Sequence, residues 1–193
     1  MPPAQANPPR TVTEPGLGTL EVFGLDTSEA ALRALLTDVF QNHWQSIHFG
    51  PLIEGAAWEI ATPDPPRKMA MLDGYLTVDF GAWHFHICIG PHRGSAGAPV
   101  SPALAAHRRT ARAELYRQLS EAGTPNSWGL RLLNGHDEQQ LTVFLPNPFL
   151  SDELKPLPEP DWSRLALWDH LRQTTLGLAP DPKDRTGTGF VHN

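Results

Sequence analysis

The sequence predicts an α+β protein: a mainly antiparallel sheet of about five to six strands with helices packed on one face. Three observations carry that expectation. Short apolar-alternating runs come in pairs, joined at Gly81-Ala82 and across Asn134-Gly135-His136-Asp137, the chemistry of hairpins. Other stretches space their apolar residues by three and four, as an amphipathic helix does. The element order, α-β-β-β-β-α-β-β-α, lacks the strand–helix alternation of a parallel sheet. Helices on one side leave the other sheet face to water, a ligand or another subunit.

Each element follows from local chemistry. At 193 residues the chain has volume for one core. The expected division is a flexible, proline-rich arm over 1–18, a single α+β domain over 19–177 and a polar tail over 178–193. Thr19–Leu25 reads as a short strand or an extended lead-in. Asp26-Thr27-Ser28-Glu29 supplies capping hydroxyls and an early acid, and Leu32, Leu35, Leu36, Val39 and Phe40 continue a helix over Ser28–Ser46. Ala56–Ala61 and Lys68–Leu72 read as strands. Asp73-Gly74 then turns into Tyr75–Phe80, and Gly81-Ala82 into Trp83–Gly90. A second helix is expected from Ser101, with Pro102 in its first turn, to Glu121. Trp128–Leu133 and Gln139–Pro146 form a second hairpin, and Asp161–Leu176 a last helix.

Composition narrows the function. The net charge of −6 argues against a nucleic-acid partner, which needs a basic footprint. The local run His107, Arg108, Arg109 and Arg112 reads as a solvated helix face. The twenty prolines gather between the periodic segments and mark borders. A single cysteine allows no intrachain disulfide. The first ten residues lack the apolar core of a signal peptide, and no stretch approaches the ~20 apolar residues of a membrane span. A cytoplasmic protein with no membrane partner is expected.

The Tyr75–Gly90 hairpin carries the chemistry. Side chains two apart share a strand face. With Gly81-Ala82 as the turn, Asp79 pairs with His84, Thr77 with His86 and Tyr75 with Cys88. Leu76, Val78, Phe80, Trp83, Phe85, Ile87 and Ile89 then form a core face. The opposite face holds Tyr75, Thr77, Asp79, His84, His86 and Cys88, every one able to hydrogen-bond or ligate. Histidines two apart have Cα atoms about 6.5–7 Å apart, close enough for both imidazoles to reach one metal. His84, His86 and His92 are the candidate metal ligands, with Cys88 or Asp79 alternatives for the third. Asp79 can instead orient His84 from behind. Tyr75, Asp79 and Cys88 are the candidate catalytic residues: proton donor, carboxylate and thiol. The remaining histidines, with Glu54 and Glu59, read as solvated or structural, with His48 also within reach of the sheet face as an extra ligand.

Two motifs resemble known families. His84-Phe85-His86 resembles the His-hydrophobe-His motif of HUH nucleases. That resemblance implies histidines holding a divalent metal and a helix tyrosine, here Tyr116, attacking DNA. His84-Phe85-His86-Ile87-Cys88-Ile89 also looks like the histidine-triad motif of nucleotide hydrolases and transferases, with Cys88 where the third histidine would stand.

These readings converge on a metal-dependent small-molecule enzyme, with zinc or iron as the divalent transition metal. The alternative is a non-catalytic binding or accessory protein. It would use the open polar face for a cofactor, a partner or a second copy of the chain.

Overall fold

Turn chemistry sets the pairings around the hairpin. A computed structural model describes residues 8–189. Along the chain lie β1 (Arg10–Glu14), β2 (Gly18–Gly24), α1 (Glu29–Asn42), β3 (His48–Gly50), β4 (Leu52–Ile53) and β5 (Ala56–Ala57). Next come β6 (Lys68–Leu72), β7 (Tyr75–Asp79), β8 (His84–Cys88), β9 (Gly94–Ser95), β10 (Ala98–Pro99) and α2 (Pro102–Arg108). The last are β11 (Thr110–Leu119), β12 (Pro125–Asn134), β13 (Gln139–Phe144) and α3 (Ala166–Leu176). Short 3-10 helices occupy Trp44–Ser46, Trp162–Leu165 and Pro182–Arg185. The fold is the expected α+β class: a six-stranded antiparallel sheet ordered β1-β2-β11-β12-β13-β3, a three-stranded sheet β6-β7-β8 and two small hairpins. The Tyr75–Gly90 hairpin belongs to the three-stranded sheet. Among the described residues no helix is long and apolar enough to cross a membrane.

Contacts divide the chain into two units, Met1–Leu25 with Glu114–Leu130 and Val143–Asn193, and Asp26–Ala113 with Arg131–Thr142. In the second unit, Asp73 and Gly74 join β6 to β7 with φ of 45° and 81°, the double left-handed geometry of a type I′ turn. A side chain at Gly74 would also strike the Pro91 carbonyl. Ser28 caps α1 by accepting from the Ala31 N–H. The helix buries Leu32, Leu35, Leu36, Val39 and Phe40. Phe40 meets Phe85 at 5.4 Å and Phe49 at 4.8 Å edge-on, and Phe49 stacks on Phe80 at 6.0 Å. The apolar face of the hairpin is therefore core, as its alternation requires.

The helix expected over 101–121 is corrected. It stops at Arg108, Arg109 turns to extended backbone, and Thr110–Leu119 is a ten-residue strand. Ala-Glu-Leu-Tyr-Arg-Gln-Leu is rich in helix formers, but it pairs along β2 from Glu114↔Gly24 to Leu119↔Thr19. Tertiary pairing overrides propensity here. Tyr116 thus lies on a strand opposite Val22, over Gly129, and the helix tyrosine that the HUH resemblance implies is absent.

The chain ends also differ from expectation. Residues 1–7 of the anticipated arm lie outside the described residues, and Arg10–Glu14 pairs with β2. In the tail, Asp184 is fully buried in the first unit. Arg117 donates to it at 2.7 Å, and the Trp128 and Trp168 indoles at 2.9 and 2.8 Å. Arg172 lies 3.6 Å from its second oxygen. Arg117 also donates to Glu21 at 2.6 Å and pairs with Asp181 at 2.9 Å. Opposed, directional partners make this interior charge tolerable.

Candidate functional site

The three-stranded sheet arranges its polar face in rows. Strand pairing puts Lys68, Asp79 and His84 in one row, Ala70, Thr77 and His86 in the next, and Leu72, Tyr75 and Cys88 in the third. The register of β7 against β8 is the one the two-residue turn requires. Lys68 is the addition: β6 places an ammonium-bearing residue opposite Asp79, which reading the hairpin alone could not reveal.

The histidine end of this face is open to solvent. His84 and His86 are both exposed, and their rings lie 4.9 Å apart, steeply inclined. Thr77 Oγ1 lies 2.8 Å from His86 Nδ1. If Nδ1 carries the proton and donates to Thr77, Nε2 keeps its lone pair for a ligand. Asp79 accepts the Gly81 N–H at 2.7 Å and so braces the turn. Among the described residues, no third histidine, cysteine, aspartate or glutamate brings a ligand atom within 4.8 Å of those of both His84 and His86.

The other end of the face is a chain of hydrogen bonds. Cys88 is buried, and its thiol points to the Gly90 carbonyl at 3.7 Å. Burial pushes the Cys88 thiol up, against the pull of Arg109 and Arg108. A thiol held protonated is a poor nucleophile. Burial, then the neighbouring Cys88, raises the Tyr75 hydroxyl too. Tyr75 packs edge-on against His92 at 4.9 Å. His92 Nδ1 lies 2.9 Å from Asp73 Oδ2, and its Nε2 lies 3.1 Å from Arg108 Nη1. A guanidinium can only donate, so Nε2 accepts and Nδ1 donates to Asp73. His92 is a neutral link between Asp73 and Arg108, with both ring nitrogens engaged. The Arg93 and Gly94 N–H groups complete the shell of Asp73 and hold its carboxylate below the usual range.

A family of unknown function, DUF7676, matches residues 9–177. The chain belongs to that family. No curated protein matches the sequence. In this DUF7676 chain the match takes in the whole polar face and leaves Asp184 outside it.

The six sequence-predicted residues thus fall into two groups. His84, His86 and Asp79 lie toward the hairpin turn, and Tyr75, Cys88 and His92 toward the far end. Sequence reasoning gave no site role to Thr77, Asp73 or Arg108. Thr77 was visible as a member of the polar face. Asp73 had a turn signal only, and Arg108 sat inside a run that looks solvated. Three other histidines have partners elsewhere. His107 and His136 stack at 3.7 Å with Glu138 bonded to His107 at 2.8 Å, and His43 lies 3.8 Å from Asp38.

Proposed function

We propose that this chain is a metal-dependent small-molecule enzyme in which His84 and His86 hold a divalent transition metal, zinc or iron, through Nε2. The observation that carries the reading is the Thr77–His86 bond at 2.8 Å beside a second exposed imidazole on the same face. A hydroxyl behind one ring nitrogen fixes ring orientation and raises the basicity of the other. Two imidazoles suit zinc, and iron would take its carboxylate from the substrate. A bound metal would supply Lewis acidity and an activated water at its open positions. The chain's own part is to orient His86 through Thr77 and to keep the turn rigid through Asp79. Lys68, across from Asp79, adds a positive charge beside the pair. The single buried cysteine fits the reducing cytoplasm.

Metal analysis of protein purified without an affinity tag tests this reading. We expect stoichiometric zinc or iron in the wild type and its loss in His84→Ala/His86→Ala. Metal-free wild type, or equal metal content in the double variant, would overturn it. In that event the second reading is a non-catalytic binding protein, favoured by the burial that pushes the Cys88 thiol up and makes it a poorer nucleophile.

A further inference from the structure

We propose that Arg108 and the Tyr75 hydroxyl form a binding site for an oxyanion, the carboxylate or phosphate group of a small molecule, held in position by His92 and Asp73. The argument begins with charge. The protein is acidic overall, yet Arg108 and Arg109 have no carboxylate partner among the described residues, and Arg108 is exposed. Arg112, from the same basic run, is instead paired with Asp137 at 3.1 Å. Asp73, which His92 joins to Arg108, accepts from the Arg93 and Gly94 N–H groups and from His92 Nδ1.

Arg108 is nevertheless fixed. One nitrogen donates to His92 Nε2, a neutral acceptor that leaves its positive charge intact. Part of the remaining guanidinium fork faces the Tyr75 hydroxyl, and paired N–H donors match a carboxylate or phosphate. A solvated arginine has no need of such a support. Here the support is built from an Asp73 turn, a histidine 19 residues later and a helix end 16 residues beyond that. The Tyr75 ring is held edge-on to His92, and its hydroxyl lies beside the Arg108 guanidinium and the Cys88 thiol, where it can turn to meet an oxyanion. The site lies one row from Thr77 and His86, roughly 7 Å along the strand. It does not depend on a metal.

Isothermal titration of the full chain, stripped of metal with EDTA, tests the proposal with inorganic phosphate and, separately, malonate. We expect at least one of them to bind with Kd near or below about 1 mM, and Arg108→Gln to weaken it roughly tenfold or more. Arg112→Gln should bind as the wild type does. Phosphate binding alone assigns a phosphoryl ligand, malonate alone a carboxylate. His84→Ala/His86→Ala should bind unchanged, so this site survives even if the metal reading fails. Absence of binding by both anions, or equal binding by a folded Arg108→Gln, would overturn it.

Discussion

The buried cluster around Asp184 and the open face around His84 use similar residue types to opposite ends. At Asp184, two arginines and two indoles converge on one carboxylate with no access to solvent. Apart from Arg172 Nε, which is buried without a hydrogen-bond partner, groups there satisfy one another. On the hairpin face, His84 and His86 are exposed, and Arg108 meets His92 and Tyr75 but no carboxylate among the described residues. Spare hydrogen-bonding capacity is what a binding site needs and what a core cannot tolerate. Charge in the first region stabilises the fold, and charge in the second is available to something else.

The largest expected effect is at the buried cluster. Asp184→Ala leaves Arg117 and Arg172 without their shared partner, so urea unfolding should show a loss of about 3–5 kcal/mol. A loss below about 1 kcal/mol would mean the cluster is not structural, and the contrast would collapse.

Acid should weaken the same region next. Burial alone would raise Glu21 and Asp181. Arg117 and then Lys183 at Glu21, and the Lys183 N–H and then Arg117 at Asp181, outweigh it and hold both carboxyls low. A depressed folded-state pKa gives stability above the unfolded value, about 4, that is lost as pH falls through the folded one. Urea midpoints should therefore drop below about pH 4, and Glu21→Gln should flatten part of that slope. A midpoint insensitive to acid would contradict the pairing.

Smaller effects are expected on the open face. Thr77→Val should lower metal affinity roughly tenfold in a chelator competition, with the fold retained. Unchanged affinity would show that the hydroxyl does not orient His86. Smallest of all, His84→Ala/His86→Ala should alter the unfolding free energy of metal-free protein by no more than about 0.5 kcal/mol. A larger loss would move these histidines to the structural side of the comparison.

Much of the site was legible because its geometry is local. Strand alternation and a two-residue turn leave one register, so the opposition of Asp79 to His84, Thr77 to His86 and Tyr75 to Cys88 follows from residues 75–88 alone. The Ser28 cap and the spacing from Leu32 to Phe40 likewise define α1 without outside help. The second helix was misjudged for the converse reason. Residues 110–119 favour a helix by propensity, and their pairing with β12 on one side and with a strand about ninety residues earlier on the other makes them extended.

The sequence by itself therefore determined the fold class, the first helix and the registered polar face, because each rests on a short period and a tight turn. Tertiary structure decided what those side chains can do. It tied His92 between Asp73 and Arg108, buried Cys88 and drew Asp184 into the core. Those are contacts that no local period encodes. They depend on which distant groups the packed chain brings within hydrogen-bond reach, and on how much water it leaves between them.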